Sequence, residues 1–250
     1  MDKYGLIGLK LGHSFSKNFF NDRFQNERID AEYLNFEIPT IHDVPDLVAN
    51  NPELRGLNVT IPYKEKILDY LDELSPNAMA IKAVNVIEIR RGKNDEDFHL
   101  IGHNTDVVGF TQSLEGMLKP IQKKALVLGT GGASKAICHG LTSLGIEYQL
   151  VSRRENEEAI TYEQLTPEIM KEHLIIVNCS PLGMYPNTND CPNIPYDSLT
   201  SDHLLYDLIY NPDTTLFMRK GAARGATVKN GLEMLLLQAI AAWNIWNKEE

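Results

Sequence analysis

The sequence has few cysteines and no long apolar run. Its cysteines are Cys138, Cys179 and Cys191, and their odd number and wide spacing match neither a disulfide framework nor a Cys-x-x-Cys metal pair. No stretch reaches the roughly 18 uninterrupted apolar residues of a membrane span, and Tyr4–Leu9 is too short an apolar run for a secretory signal. We therefore expect a cytoplasmic protein with no metal site and no membrane partner.

Positive charge is also scarce. The 250 residues include 24 Lys and Arg against 34 Asp and Glu, which gives a formal net charge of −10. Such a chain lacks the broadly basic surface that binds nucleic acid. With 43% hydrophobic and 23% charged residues, its composition is that of a globular protein with a core, and its length favours one large domain or two modest ones.

In the first hundred residues, apolar β-type runs alternate with helical patterns, which predicts a sheet covered by helices. The predicted strands are Tyr4–Leu9, Ala31–Ile38 and Leu57–Ile61, and the predicted helices are Ser16–Arg28, Ile41–Asn50 and Tyr63–Leu74. Two further runs, Ala83–Arg90 and Phe98–His103, are joined by a polar, glycine-containing stretch, which predicts a hairpin. A helical pattern over Asp106–Leu118 follows, and we expect the domain boundary along it.

The second half restarts with a continuous apolar strand that enters the glycine-rich turn Gly129–Ser134 and then a helix to about Leu144. Further strands are predicted at Tyr148–Val151, Leu174–Val177 and Leu204–Leu208. This order is typical of a dinucleotide-binding α/β unit. Only four residues separate Arg154 from the β-like run Ala159–Tyr162, whereas a parallel crossover needs about a dozen. We therefore predict that the usual crossover helix is missing here.

The last predicted helix, Gly231–Asn247, carries one apolar stripe, with Gly231, Met234 and Gln238 on a second stripe beside it.

The glycine-rich turn is the clearest chemical signal. Gly129 permits a tight turn from strand to helix, and Gly131 with Gly132 allows the backbone to approach a pyrophosphate at the helix N-terminus. Ser134 stands at the third glycine position of the fingerprint, so the match is imperfect. A glycine turn without a ligand is the alternative interpretation.

The residues after the next strand bear on the cofactor. An NAD-specific site would place Asp or Glu there, whereas this chain has Ser152, Arg153 and Arg154. Guanidinium groups suit a 2′-phosphate, which favours NADP. Glu155 follows directly and leaves NAD open, and two solvated surface arginines are the structural alternative.

Polar residues in the first half have two interpretations each. The serines of Gly12–Ser16 can cap a helix or bind a carboxylate. Asn58 and Thr60 share one face of a strand, and Lys64 lies just past its carboxyl end, where α/β sheets bind ligands. Asn85 can serve a ligand or a buried structural hydrogen bond, and the Asp106 side chain can be catalytic or only cap a helix.

Eight segments follow one another along the chain: Gly8–Ser16, Asn58–Lys64, Ala83–Asn85, Asn104–Asp106, Gly129–Ser134, Asn178–Gly183, Asp207–Tyr210 and Gly231–Gln238. In this order they resemble the motifs of shikimate dehydrogenases, over nearly the whole chain. The resemblance implies reversible NADPH-dependent reduction of 3-dehydroshikimate to shikimate, in aromatic amino-acid biosynthesis.

The resemblance also implies residue roles. Lys64 and Asp106 match the catalytic pair, and a lysine ammonium held by a carboxylate can stabilise and protonate the oxygen that gains charge during hydride transfer. The substrate would be bound by Ser14, Ser16, Thr60, Asn85, Asp106, Tyr210 and Gln238. The cofactor would be bound by Gly129, Thr130, Gly131, Gly132, Ala133, Ser152, Arg153, Arg154, Leu208, Gly231 and Met234.

The expected architecture is an N-terminal substrate-binding α/β domain, residues 1–105, and a Rossmann-like NADP-binding domain, residues 106–230. The C-terminal helix, residues 231–250, is expected to pack back on the first domain. The chain departs from the family's usual pattern at Lys17, at His103 and at the truncated crossover, and the last of these touches the adenosine pocket. Two alternatives stay open: a quinate/shikimate dehydrogenase that accepts NAD, and a non-catalytic dinucleotide or metabolite sensor. The chain is expected to be a monomer or a homodimer.

Overall fold

The computed structural model of the protein describes residues 1–12, 15–93, 97–154 and 156–247. The chain forms two compact units. The first combines residues 1–105 with the chain from Ala239 onward, and the second comprises Asp106–Gln238.

A mixed sheet forms the centre of the first unit. Its strands are β1 (Asp2–Gly8), β2 (Ala31–Glu37), β3 (Leu54–Val59), β4 (Glu73–Leu74), β5 (Val86–Arg91) and β6 (Phe98–His103), in the spatial order β2-β1-β3-β5-β6-β4. Strands β1, β2 and β3 are parallel, whereas β5 runs antiparallel to both β3 and β6. The predicted hairpin is thus the β5–β6 pair.

The helices of this unit are α1 (Phe15–Glu27), α2 (Val44–Ala49) and α3 (Pro76–Ile81). An aromatic core that includes Phe20, Phe24 and Tyr33 packs against Ala239 and Trp243 near the end of the chain. Burying such large aromatic side chains is a major source of stability. The C-terminal helix therefore packs on the first unit, as expected, through its part from Ala239 onward.

The predicted helix over Tyr63–Leu74 is wrong. The segment forms one 3₁₀ turn, Lys66–Tyr70, and then the short strand β4. The reason is tertiary: the N–H of Asp72 donates to the Leu100 carbonyl at 3.0 Å, and the Leu100 N–H donates to the Asp72 carboxylate at 2.7 Å. Strand β6 thus supplies the backbone partners that a longer helix would have supplied locally.

The second unit is built on an all-parallel sheet. Its strands are β7 (Lys124–Leu128), β8 (Glu147–Ser152), β9 (Ala159–Thr161), β10 (Ile175–Asn178), β11 (Leu204–Asp207) and β12 (Thr227–Lys229). The order β12-β11-β10-β7-β8-β9, read from the other edge, is the 3-2-1-4-5-6 order of Rossmann folds. The predicted α/β class with a Rossmann-like second domain is confirmed, and ligands of such sheets bind at the carboxyl ends of the strands beside β7 and β10.

Strand β9 is parallel to β8 although only residues 153–158 connect the two. The register explains this, because Ala159 pairs with Leu150 and Thr161 pairs with Ser152. Strand β9 thus lies beside the last three residues of β8, and the connection returns by about two residues instead of a whole strand. No helix occurs among the described residues of this connection, as predicted.

The helices of the second unit are α4 (Asp106–Glu115), α5 (Gly132–Ser143), α6 (Pro167–Glu172), α7 (Leu216–Ala222) and the start of α8 (Leu232–Trp246). The predicted domain division assigns residues 231–238 to the first domain, whereas these residues cluster with the second unit. A Cβ atom added to Gly109 of α4 would lie 2.4 Å from the Met234 carbonyl oxygen. This close backbone approach explains the difference. None of the helices within the described residues has the length and apolarity of a membrane span.

Candidate active site

A chain of side-chain hydrogen bonds crosses the first unit. The Tyr33 hydroxyl donates to Asn58 Oδ1 at 2.6 Å, and Asn58 Nδ2 reaches the Asn85 carbonyl at 3.3 Å. Ser16, in the first turn of α1, also hydrogen bonds to the Tyr33 hydroxyl. Because a tyrosine has a single hydroxyl proton and Tyr33 gives it to Asn58, the Ser16 hydroxyl must be the donor to Tyr33.

The same chain continues at Asn85, which precedes β5. Asn85 Oδ1 accepts the Thr105 N–H at 2.7 Å, and Asn85 Nδ2 donates to Thr105 Oγ1 at 3.0 Å. Next to it, Asn104 Nδ2 donates to the Ala83 carbonyl at 2.9 Å. Asn58, Asn85 and Thr105 are buried. The structural role considered for Asn85 is therefore present, and this chain connects it with Ser16.

Tyr33 is fully buried and stacks on Phe20 with a centroid separation of 4.8 Å. Burial raises the pKa of the Tyr33 hydroxyl well above its ordinary value, because a phenolate would lose its hydration. The hydroxyl therefore stays neutral and keeps its proton for Asn58. Sequence reasoning missed Tyr33, since a tyrosine in a strand is an ordinary core residue and only its contacts set it apart.

Thr60 and Lys64 lie on a tight segment after β3. The Thr60 N–H donates to the Ile7 carbonyl at 3.0 Å, and the Tyr63 N–H donates back to the Thr60 carbonyl at 2.9 Å. The Lys64 carbonyl accepts the Val84 N–H at 2.7 Å. Backbone bonds to β1 and to the chain before β5 thus place the half-buried Lys64 just past the carboxyl end of β3. Ser14 lies outside the described residues.

The glycine-rich turn begins at Gly129, whose φ of +118° is a conformation that L side chains rarely adopt. The Gly129 N–H donates to the Val151 carbonyl at 2.8 Å, so the turn starts from the sheet edge. Ser134 fits the third fingerprint position because it is small and its Oγ donates to the Gly131 carbonyl at 2.6 Å. The imperfect fingerprint thus costs no unsatisfied polar group at Ser134.

The start of α5 is open. Gly131 is its N-cap with no side-chain capping hydrogen bond, and a Cβ atom added to Gly131 would meet nothing within 4 Å. Backbone N–H groups at the positive end of a 12-residue helix attract anions. Thr130 lies in the turn, and Gly132 and Ala133 are the first two residues of α5.

The two residues directly after β8 face solvent. Ser152 Oγ donates to the Arg154 carbonyl and accepts the Arg154 N–H at 3.2 Å, which holds the chain in a tight turn. The Arg153 and Arg154 side chains are exposed. Burial raises the pKa of the neighbouring Tyr162 to about 12, while the charge of Arg153 opposes that rise. Glu155, on which the NAD alternative depends, lies outside the described residues.

The predicted nicotinamide residues Leu208 and Gly231 are in contact, whereas Met234 lies in the core of the second unit. The backbones of Leu208 and Gly231 approach so closely that a Cβ atom on Gly231 would lie 2.1 Å from the Leu208 carbonyl oxygen. Tyr210 is partly exposed, with 39% of its surface accessible. Gln238 is buried, and its amide donates to the Leu235 carbonyl at 2.9 Å.

Asp106 begins α4 and is buried. It follows Thr105, so the hydrogen bonds between Thr105 and Asn85 fix the chain one residue before it. A carboxylate in the first turn of a helix is stabilised by the helix dipole. This position agrees with the structural role considered for Asp106 and equally with a functional one.

Two sites thus emerge from the separate units. In the first unit, Thr60 and Lys64 follow the carboxyl end of β3, and Ser16 and Asn85 are connected to Asn58 of β3 by hydrogen bonds. In the second unit, the glycine turn, the arginines and Leu208 all follow the carboxyl ends of parallel strands, which is the ligand-binding edge of a Rossmann sheet.

Comparison with known proteins agrees with this arrangement. The family model for the shikimate dehydrogenase substrate binding domain matches residues 6–87. A shikimate dehydrogenase (NADP(+)) of Clostridium beijerinckii is 39% identical, over 99% of this chain and 93% of that protein.

Solved structures align over nearly the whole chain. The shikimate 5-dehydrogenase of Listeria monocytogenes in complex with shikimate and NAD has a TM-score of 0.85 at 30% identity, covering 100% of this chain and 92% of that chain. The shikimate 5-dehydrogenase of Thermus thermophilus in complex with NADP(H) and shikimate has a TM-score of 0.84 at 28% identity, covering 99% and 94%. By its full-length identity to such relatives, the chain belongs to the shikimate dehydrogenase family.

Proposed function

We propose that this protein is an NADP-dependent shikimate dehydrogenase that interconverts shikimate and 3-dehydroshikimate. The observation that carries the proposal is the open, uncapped start of α5 at the carboxyl edge of a Rossmann sheet, in a chain whose other unit gathers hydroxyl, amide and ammonium groups. Relatives named shikimate dehydrogenase (NADP(+)) support the same reaction.

The residues present fit a dinucleotide. The space beside Gly131 and the N-terminal N–H groups of α5 suit a pyrophosphate, and the exposed Arg153 and Arg154 suit a 2′-phosphate. Leu208, Gly231 and Met234 would line the nicotinamide end. When bound, the cofactor supplies the hydride.

Hydroxyl and amide side chains would recognise the substrate. Hydroxyl groups of Ser14 and Ser16 would bind the carboxylate, and the amides of Asn85 and Gln238, with Thr60 and Tyr210, would bind the carboxylate or ring hydroxyls. The Ser16 hydroxyl donates a hydrogen bond to Tyr33, so binding a carboxylate through Ser16 requires this hydroxyl to rotate and donate to the ligand instead. The Tyr33 hydroxyl would continue to donate its hydrogen bond to Asn58.

Lys64 and Asp106 would handle the proton. During reduction the substrate oxygen gains negative charge, and the Lys64 ammonium would stabilise that charge and supply a proton. Asp106 would be the second member of this catalytic pair. Because the two groups would titrate as a pair, the proton is assigned to the pair and not to one residue.

The second candidate is a related dehydrogenase that uses NAD or accepts quinate. The Listeria relative solved with NAD is the observation that favours it, together with the sequence position of Glu155. A non-catalytic sensor is a lower-ranked candidate from another class, because both Lys64 and Asp106 are present in this chain.

The test is an absorbance assay at the NADPH band with purified protein. We expect oxidation of shikimate with NADP, and kcat/KM for the four pairs of shikimate or quinate with NADP or NAD identifies the preferred pair. Binding of NADPH without turnover of any of these substrates would overturn the proposal and favour the sensor. A cytoplasmic location and a monomeric or homodimeric state stay predictions, and light scattering during gel filtration measures the latter.

A further inference from the structure

A fully buried carboxylate lies at the end of β11, and the proposed reaction gives it no part. Asp207 and its neighbours Asn178 and Thr215 all have 0% of their surface exposed. A buried carboxylate is costly unless hydrogen bonds satisfy its oxygens. The hydrogen-bond partners of Asp207 therefore show which parts of the chain this carboxylate holds in place.

Asp207 accepts three hydrogen bonds, one from the last residue of β10 and two from the segment 208–215. Oδ1 accepts from Asn178 Nδ2 at 3.0 Å and from the Ile209 N–H at 3.1 Å, and Oδ2 accepts from Thr215 Oγ1 at 2.6 Å. Thr215 Oγ1 in turn accepts the Met218 N–H at 3.3 Å and so caps α7. One carboxylate therefore fixes both ends of the segment 208–215.

The network extends to the segment after β10. Asn178 Oδ1 accepts the Ser180 N–H at 3.0 Å and the Ser180 hydroxyl at 2.6 Å. The Asn178 carbonyl also accepts the Leu208 N–H at 3.1 Å. Asn178 and Asp207 are themselves paired residues of neighbouring strands. The chain after β10 and the chain after β11 are thus held by one buried polar network.

The held segment determines the position of Leu208 and Gly231. The Gly231 N–H donates to the Ile209 carbonyl at 3.0 Å, and the Leu208 carbonyl contacts Gly231 so closely that no side chain fits there. A movement of the Leu208 backbone would therefore displace Gly231 as well. Both are predicted to line the nicotinamide end of the cofactor, and Tyr210 follows on the same segment.

We propose that Asp207 is a positioning residue for the nicotinamide pocket, with Thr215 and Asn178 as its partners. It holds Leu208, Tyr210 and Gly231 in the geometry that hydride transfer requires, and it does not itself touch the reacting atoms. This inference rests on the proposed function, because the assignment of the nicotinamide end does. Small errors in placing reacting groups lower the rate of the chemical step more than they lower binding.

The test compares Thr215→Val with Thr215→Ser. Valine keeps the shape but leaves Asp207 Oδ2 without its donor, whereas serine keeps the hydroxyl. The control is Ser113→Ala, which removes the 2.6 Å hydrogen bond between Ser113 and the buried hydroxyl of Tyr206, the residue next to Asp207 on β11. The readouts are kcat and the dissociation constants of NADPH and of 2′,5′-ADP, which carries only the adenosine half.

For Thr215→Val we expect kcat to fall about tenfold and NADPH to bind several-fold more weakly, while the dissociation constant of 2′,5′-ADP stays unchanged. Effects of this size are expected when one hydrogen bond to a charged group is lost. Thr215→Ser should restore both values, and Ser113→Ala should lower thermal stability without changing the ratio of the two affinities. An unchanged kcat, or an equal loss of affinity for NADPH and 2′,5′-ADP, would overturn the proposal.

A second variant guards against misfolding of Thr215→Val. Asp207→Asn keeps one oxygen for Asn178 and Ile209 and turns an N–H towards Thr215, whose oxygen can accept it. We expect a smaller loss of kcat than for Thr215→Val, with the same change in the ratio of the NADPH and 2′,5′-ADP affinities. An affinity ratio equal to that of the unmodified protein would count against the proposal. If the unmodified protein does not turn over shikimate, the proposed function fails while the affinity ratio still tests the role of Asp207.

Discussion

The two units hold their predicted ligand-binding groups in different ways. In the first unit, Ser16 and Asn85 belong to a chain of neutral side chains that runs through Tyr33 and Asn58. In the second unit, the glycine turn offers backbone N–H groups. Among the described residues of the buried network around Asn178 and Thr215, Asp207 is the only charged member.

This difference teaches what each unit tolerates. Backbone groups present the same N–H donors whatever the side chain, and the Ser134 hydroxyl at the usual third glycine position is itself hydrogen-bonded to the Gly131 carbonyl. A side-chain network has no such freedom, because removing one member leaves a buried partner unsatisfied. Substrate recognition in the first unit should therefore be more sensitive to conservative substitutions than dinucleotide binding in the second.

The largest effect is expected at Lys64. Lys64→Ala should lower kcat for shikimate oxidation by about 10²-fold or more, because one member of the proposed proton-transfer pair is lost. The matched control is Lys66→Ala, which removes an exposed lysine from the same segment. Steady-state kinetics at saturating substrates measure both variants. Equal kcat values for the two would show that the first unit supplies binding groups only.

The next effect concerns the pH dependence of stability that arises from the buried carboxyl group of Asp207. Burial raises the pKa of Asp207 from 3.8 to about 6, while hydrogen bonds from Thr215, Ile209 and Asn178 oppose the rise. Between these values the folded state binds more protons than the unfolded state, so the contribution of Asp207 to the free energy of unfolding falls as pH rises through that window. The full loss is about 3 kcal/mol and is complete above the folded-state pKa.

Urea denaturation from about pH 4 to about pH 7 tests this, within the range set by the two pKa values. The stability of Asp207→Asn relative to the unmodified protein should rise across the window, since asparagine does not titrate. The stability difference for Ser113→Ala should stay constant with pH. A constant difference for Asp207→Asn as well would mean that Asp207 keeps an ordinary pKa.

A smaller effect is expected at the exposed arginines. The double variant Arg153→Ala with Arg154→Ala should raise KM for NADP about tenfold and change KM for NAD by less than about twofold. The reason is that only the 2′-phosphate, which NAD lacks, loses its partners. Arg224→Ala removes another exposed arginine of the same unit as a control. Equal changes for both cofactors would show that the arginines do not read the 2′-phosphate.

The smallest effect is expected at Tyr33. Tyr33→Phe keeps the ring but leaves Asn58 Oδ1 without its donor and Ser16 without its acceptor, so KM for shikimate should rise roughly threefold to fivefold while KM for NADP stays constant. Tyr4→Phe is the control, since Tyr4 shares the aromatic core but hydrogen bonds to Asn247. In a double-mutant cycle of Tyr33→Phe with Ser16→Ala, the effects on KM for shikimate should be non-additive. Additive effects would show that Tyr33 does not act through Ser16.

Much of the fold could be predicted because local signals were strong. The apolar strand before Gly129, the turn and the helix after it need no distant contacts to be recognised. The segment Tyr63–Leu74 misled prediction, because its helical pattern is local whereas its partners on β6 are about 30 residues away. The helices α3, α6 and α7 were not predicted, since each has only six or seven residues and carries too short a pattern.

The sequence by itself determined the residue types and the order of the motifs, and with them the family and the class of ligand. Only the tertiary structure decided how those residues are held. Tyr33 lies 25 residues from Asn58, and Asp207 lies 29 residues from Asn178. Strand β9 pairs with the end of β8 through a register that no local pattern encodes. Burial and hydrogen bonding are properties of the folded chain, because they depend on which segments exclude water from one another.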